Sequence, residues 1–288
     1  MTLAANELRI TQSAISHRLK KLESFVGALL FNRAGTGLSP TQAGVALLED
    51  ISRLLDDMAE LRARSRAAAK PAILKVGVGA ALSQYWLVRR LPGFTASNPD
   101  IGLELIAVEN EIQARTADID IAILWKSKSA VRPNSTQRLL FSEDVFPVAA
   151  PRFVPGGRPL PNPMMTLVNL PIIHKGPVGR NDGAEWSWPV WFEKLGIETR
   201  VPEAMRFDSL NLALAAAIEG AGVVLARSLL VHDALAERKL CRVLPSKWDM
   251  PSSKAHFVRW QAVLTGDKRV SRFTDWLTNE ANRTSSSS

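Results

Sequence analysis

Thr11-Gln12-Ser13-Ala14-Ile15-Ser16-His17-Arg18-Leu19-Lys20-Lys21-Leu22-Glu23 is the stretch whose reading decides the front of this chain. Thr11 offers a side-chain oxygen to the free amides of a helix start. Ile15, Leu19 and Leu22 then fall on one face at helical spacing, and Gln12, Ser13, Ser16, His17 and Lys20 fall on the opposite face. Short or flexible hydrogen-bonding side chains near a helix N-terminus suit the reading of base edges in the DNA major groove. Arg18, Lys21 and Arg33 are placed to meet phosphates. Upstream, Leu3 to Ile10 has the spacing of a short preceding helix, so the whole reads as a helix-turn-helix. A plain amphipathic helix with a solvated polar face carries the same pattern, and this stretch alone leaves both readings open.

Downstream, Ala34-Gly35-Thr36-Gly37 is a turn-rich stretch leading to Leu38-Ser39-Pro40-Thr41-Gln42. That string reads as a helix start, with Ser39 as cap, Pro40 at the first helical position and Gln42 reaching back. The following helix is expected to run about 25 residues, roughly 40 Å at 1.5 Å per residue. Along it Leu47, Ile51, Leu54, Met58 and Leu61 alternate steps of four and three, flanked by Glu49, Asp50, Arg53, Asp57, Glu60 and Arg62. This is the seam of a two-helix coiled coil, and a helix lying on its own domain is the alternative.

From Ala72 the texture changes. Ile73 to Val78 reads as a strand, Gln84 to Ala96 as a helix and Gly102 to Val108 as the next strand, which implies a parallel sheet. Further strands are expected at Ile119 to Trp125, Val145 to Ala149, Val223 to Leu225 and His256 to Trp260, and helices near Val190 to Leu195, Leu210 to Glu219 and Arg272 to Asn282. The predicted organisation is therefore α+β and multidomain: a winged helix-turn-helix in residues 1–39, a linker and dimerisation helix in 40–70, and an effector-binding domain in 71–282.

Bulk composition agrees. The chain has 288 residues, 46% hydrophobic and 22% charged, enough for more than one core. A formal charge of +8 favours a polyanionic partner such as double-stranded DNA. The single cysteine, Cys241, cannot close an internal disulfide and fits a reducing compartment. With no signal-peptide pattern at Met1 and no long uncharged apolar run, a cytoplasmic location is expected.

The blocks Thr11 to Ser16, Leu22-Glu23, Val26 to Arg33 and Thr41-Gln42-Ala43-Gly44 together resemble the N-terminal domain of LysR-type transcriptional regulators. Trp86 to Leu91, Asn98 to Ile101, Phe207-Asp208-Ser209, Gly220 to Val223 and Trp276-Leu277 resemble the effector domain of the subgroup that includes the glycine-cleavage and β-lactamase gene activators. The resemblance implies a two-lobed α/β domain like the type 2 periplasmic binding proteins, with lobe I near residues 72–147 and 262–282 and lobe II near 148–261. It also implies a promoter-binding homodimer or homotetramer, with RNA polymerase as a further partner, no cofactor and no metal. A further helix is implied ahead of the position of Met1, so the first helix of the DNA-binding domain is expected to be missing from the chain as it stands.

In such a fold, helix N-termini aim free amides into the cleft between the lobes and suit a small carboxylate. This points to Ala81, Ser83 and Gln84 after the first strand and to Asp208 and Ser209 before a later helix. The subgroup usually has Ser or Thr where this chain has Ala81. Trp125 and His174 are expected near the hinge and the second lobe's cleft wall, against the alternatives of core packing for Trp125 and a structural histidine for His174. Trp186, Trp188 and Trp191 read mainly as packing.

Catalysis has little support. Gly77-Val78-Gly79 follows a strand, but Leu82 stands where a dinucleotide fingerprint needs its third glycine. His17, His174, His232 and His256 show no metal-ligand spacing, and no Gly-x-Ser-x-Gly motif occurs. Two alternatives stand beside the regulator: a DNA-binding-impaired form acting through mixed dimers, and a solute-binding protein.

Overall fold

A computed structural model describes residues 11–34, 37–68, 73–108, 110–130, 136–159, 167, 169–176, 187–196 and 203–286. The helix expected within 3–10, and Leu8 with it, lies outside these residues, as does Trp186. The chain divides into two compact units, residues 1–61 and 62–288.

In the first unit, helix α1 (Gln12–Val26) starts where Thr11 Oγ1 accepts the Ala14 amide at 3.2 Å. It ends at Gly27, which takes a left-handed φ of 75° and returns its amide to the Glu23 carbonyl. Strands β1 (Phe31–Ala34) and β2 (Gly37–Pro40) form an antiparallel wing, with Ala34 in register with Gly37. The Glu23 carboxylate ties α1 to the wing by accepting the Leu30 amide at 2.9 Å.

The long helix α2 (Gln42–Ala68) begins later than the sequence suggested. Ser39 and Pro40 belong to β2, with Pro40 in register with Phe31, and Thr41 is the residue that caps, its Oγ1 accepting the Gly44 amide at 3.0 Å. Thr41 also donates its hydroxyl to the Leu29 carbonyl at 2.7 Å. A Cβ on Gly44 would stand 2.1 Å from the Leu30 carbonyl oxygen, so the close approach of helix and strand requires glycine there.

The second unit is built on a mixed sheet. Its strands are β3 (Ile73–Val78), β4 (Gly102–Ala107), β5 (Ile121–Ser127), β6 (Gln137–Ala149), β7 (Ile172–Lys175), β8 (Glu203–Phe207), β9 (Val223–Arg227), β10 (Cys241–Arg242) and β11 (Met250–Trp260). Among the described residues the order is β4-β3-β5-β11-β6-β9-β7-β8, with β10 on β6. The set β4-β3-β5 is parallel, as is β9-β7-β8, and the two sets are joined by the antiparallel pair β6 and β11. These two strands run through both lobes: β11 pairs with β5 over Lys254 to Trp260, whereas β6 pairs with β9 over Val145 to Val148. The lobes thus exchange strands inside β6 and β11, where the register breaks between Pro251 and Ala255. Two residue runs read as short strands proved to be halves of these long ones.

Helical backbone follows β3 at once, as α3 (Ala80–Leu82), a wider π turn (Ser83–Leu87) and α4 (Val88–Ser97). The remaining helices are α5 (Glu111–Thr116), α6 (Trp188–Lys194), α7 (Leu210–Ile218), α8 (Ser228–Ala236) and α9 (Lys268–Ser286). Leu74, Val76 and Val78 of β3 pack with Trp86 and Leu87 of the π turn and Phe273 and Leu277 of α9 in the larger core. Trp86 meets Phe141 edge-on at 4.8 Å and donates its indole N–H to Thr284 Oγ1 at 3.1 Å, so its one polar atom is satisfied. Trp188 and Trp191 are fully buried in a second core, Trp188 donating to the Ile173 carbonyl at 2.9 Å. Gly222 precedes β9 because a Cβ there would stand 2.3 Å from the Pro171 carbonyl oxygen.

Candidate functional site

On α1, Gln12, Ser13, Ser16, His17 and Lys20 lie within an arc of about 140° at 100° per residue. Gln12, Ser13, His17 and Lys20 are exposed, as are Arg18 and Lys21 on the flank, and Ser16 alone of these is half-exposed. The helix has no buried residue among those described, and Leu22 and Phe25 also stand open. Arg33 lies on β1, in register with Leu38.

The second candidate lies where the lobes cross. The parallel strands of both lobes direct their C-terminal ends there: β5 ends at Ser127 opposite Lys254, and β9 ends at Arg227 opposite Val145. In open α/β sheets this end of the strands is where ligands bind. Of the residues singled out from sequence, Trp125 stands on β5 in register with His256, their rings 4.7 Å apart. His174 is buried near the end of β7, in register with Arg206.

Ala81, Ser83 and Gln84 lie in the helical backbone that starts at Ala80, so Ala81 falls in the first helical turn. The Ser83 amide is spent on the Gly79 carbonyl at 2.9 Å, and the exposed Gln84 sits in the π turn. Asp208 is exposed, and Ser209 occupies the cap position of α7 without its side chain making the capping bond. The Tyr85 hydroxyl donates to the Asn211 carbonyl at 2.9 Å, which brings the segment after β3 and the start of α7 together across the lobes. Arg90 closes the same side with two bonds to the Asp233 carboxylate of α8, at 2.9 and 3.0 Å. Burial pushes the Asp233 carboxyl up, but the bonds from Arg90 and His232 outweigh it and hold it below its ordinary value.

Three residues not singled out from sequence complete the crossing. Glu143 of β6 is fully buried, with Arg227 Nε 3.6 Å from its Oε2 and His256 Nδ1 3.6 Å from its Oε1. The Arg227 guanidinium lies over the Trp125 indole, 4.3 Å from the ring centre. Both Glu143 oxygens, Arg227 Nε and Nη1, and His256 Nδ1 are buried without a hydrogen-bond partner. Burial pushes the Glu143 carboxyl up to about 7 against the pull of Arg227, with Asp144 adding a smaller push. Burial and the Arg227 charge hold His256 well below its ordinary value, so the imidazole is neutral. Arg227 is itself drawn down by burial, opposed by Glu143, yet guanidinium stays charged in proteins. The signal that could have found these residues was a charged or imidazole side chain inside otherwise apolar strands, which is rare without a partner.

A helix with an exposed polar stripe beside a two-stranded wing, a long helix, and a two-lobed α/β unit with a polar crossing are the parts expected of a ligand-responsive DNA-binding regulator. Residues 1–45 match the bacterial regulatory helix-turn-helix protein, lysR family, and residues 70–282 match the LysR substrate binding domain. The chain belongs to the LysR family of transcription regulators. It is 27% identical over 281 residues to the glycine cleavage system transcriptional activator of Escherichia coli, covering 97% of this chain and 88% of that protein. It is 28% identical over 281 residues to the HTH-type transcriptional regulator TrpI of Pseudomonas aeruginosa, covering 96% and 90%. Its fold is similar to that of CrgA, a LysR-type transcriptional regulator from Neisseria meningitidis, with a TM-score of 0.57 at 22% identity over 96% of this chain and 92% of that one. The AmpR effector binding domain from Citrobacter freundii is similar to the second unit, with a TM-score of 0.56 at 20% identity, covering 74% of this chain and all of that one (100%). Neither the solute-binding reading nor the DNA-binding-impaired one is favoured by these matches. Among the described residues no helix is long and apolar enough to cross a membrane, and no group of His, Cys, Asp and Glu is arranged to hold a metal ion.

Proposed function

We propose that this regulator reads promoter DNA through the α1 face of Gln12, Ser13, Ser16, His17 and Lys20, mainly the first four, with Arg18, Lys21 and Arg33 meeting phosphates, and that a small carboxylate seated at the lobe crossing controls it. The observation that supports the DNA half is the exposed polar stripe on α1, whose side chains have the reach and donor-acceptor range of base-edge contacts. The effector half is supported by Arg227, a buried cation with N–H groups lacking an acceptor, at the strand ends where such folds take ligands. Ala81, Ser83, Gln84, Trp125, His174, Asp208 and Ser209 form the surrounding wall in this reading. The protein acts in the cytoplasm as a dimer or tetramer joined through α2, with RNA polymerase as its downstream contact and no catalytic step of its own.

The test of the DNA half is replacement of Gln12 and Ser16 by Ala. Loss of paired base contacts should cost about 1 to 3 kcal/mol each on the specific site and little on random duplex. An unchanged ratio of specific to random binding would remove these residues from base reading.

A further inference from the structure

The crossing holds charges that balance but hydrogen bonds that do not. Glu143 and Arg227 stand 3.6 Å apart, close enough for attraction and too far for a hydrogen bond, and His256 Nδ1 faces the other Glu143 oxygen at the same 3.6 Å. Each of the three carries a buried polar atom without a hydrogen-bond partner. A buried network left in this state is unfavourable, and a group that completes its hydrogen bonds is correspondingly favoured.

The groups that face Glu143 are few. Arg227 comes from β9, His256 from β11 and Asp144 from its own strand β6, while β5 contributes the uncharged Trp125 indole over Arg227. Seating a second carboxylate on Arg227 would place two anions on one guanidinium in a dry site, which like-charge repulsion opposes. Binding of a proton to one of them removes that conflict. Glu143 has a place for the proton: an O–H on Oε1 would face His256 Nδ1, which lies 3.6 Å away without a hydrogen-bond partner, and a small approach of the two would close the bond.

We propose that the crossing is a proton-linked carboxylate site, in which the effector carboxylate takes Arg227 from Glu143 while Glu143 takes up one proton from solvent and donates it as a hydrogen bond to His256. No covalent bond changes: the step consumes one ligand anion and one proton, and the charge of the cluster is the same before and after. This inference rests on the carboxylate reading given above and adds the proton that accompanies it. Burial already holds Glu143 near neutrality in its titration, at about 7, so the added anion has only a small distance to move it.

The experiment uses the full chain and a panel of acetate, glycine, succinate and benzoate, with glucose and methylamine as uncharged and cationic controls. Binding is measured by calorimetry at pH 8 in two buffers of different ionisation enthalpy, which counts protons directly and needs no variant. The expected result is uptake of close to one proton per bound carboxylate at pH 8 and nearly none at pH 5.5. Affinity should fall about tenfold per pH unit above neutrality, the slope of one linked proton. E143Q should bind the same carboxylate with no proton uptake and a flat pH profile. Carboxylate binding without proton uptake at pH 8, or an unchanged pH slope in E143Q, would overturn the linkage while leaving the carboxylate reading in place. Binding of glucose or methylamine alone, or of no carboxylate at all, would overturn the carboxylate reading and the linkage with it.

Discussion

Glu143 shows what a single buried residue does to the pH response of a whole domain. Its carboxyl, ordinarily near 4.5, is raised to about 7 by burial, so between these values the folded protein holds a proton that the unfolded chain has released. Stability contributed by this group is therefore lost as pH rises from about 4.5 to 7 and is level above that. His256 works in the opposite sense below its ordinary 6.5, since it is neutral when folded and charged when unfolded. Comparing E143Q with the parent cancels His256. The variant's stability relative to the parent should grow across this window by up to about 3 kcal/mol, measured by urea denaturation at several pH values. A flat difference would place Glu143 in a wetter setting than its burial indicates. Gly222 acts through space instead of charge. Gly222→Ala sets a Cβ against the Pro171 carbonyl, a backbone atom that cannot swing aside, and should destabilise the second unit by about 1 to 3 kcal/mol in a thermal melt.

At the scale of elements, α2 carries an apolar seam that stands exposed from Ile51 to Leu61 among the described residues. Ile51 is 41%, Leu54 62%, Met58 62% and Leu61 57% exposed, at alternating steps of three and four. Such a stripe on a helix of this length is the geometry of a two-helix coiled coil. Placing Glu at both Ile51 and Leu54 would bury unpaired charge in that contact and should give monomers in sedimentation velocity. A profile identical to the parent's would move the dimer contact elsewhere. The wing is tied to its neighbours by named hydrogen bonds: Glu23 on α1 accepts the Leu30 amide, and Thr41 before α2 donates its hydroxyl to the Leu29 carbonyl.

At the scale of the molecule, residues 62–288 contain both large hydrophobic cores and the entire nine-stranded sheet found among the described residues. A chain beginning at residue 62 should therefore unfold cooperatively with nearly the melting temperature of the corresponding transition in the full protein, read by calorimetry. A broad, non-cooperative transition would mean that the first unit contributes to this core. The DNA contacts belong to the other unit, so deletion should abolish specific DNA binding while carboxylate binding persists.

Local chemistry made much of this legible in advance. Thr11 before an amphipathic run, β-branched residues in β3 and the seam of α2 are read from neighbours along the chain, because caps, periodicity and propensity act over one or two turns. The resemblance of separated blocks then supplied the two-lobed arrangement that local signals could not. Ser39-Pro40-Thr41 offers two capping hydroxyls, and only the pairing of Pro40 with Phe31 decides that the strand continues and Thr41 caps. The crossing lay further out of reach. Trp125 alone of the four is singled out in the sequence; Glu143, Arg227 and His256 come from three further strands far apart along the chain, and no local signal brings them together. What makes them a site is the antiparallel passage of β6 and β11 between the lobes, which buries three ionisable groups within 3.6 Å contacts and leaves their hydrogen bonds unmet. Burial and distance are properties of the folded chain, so the polar stripe of α1 was determined by sequence and the charge cluster by tertiary structure.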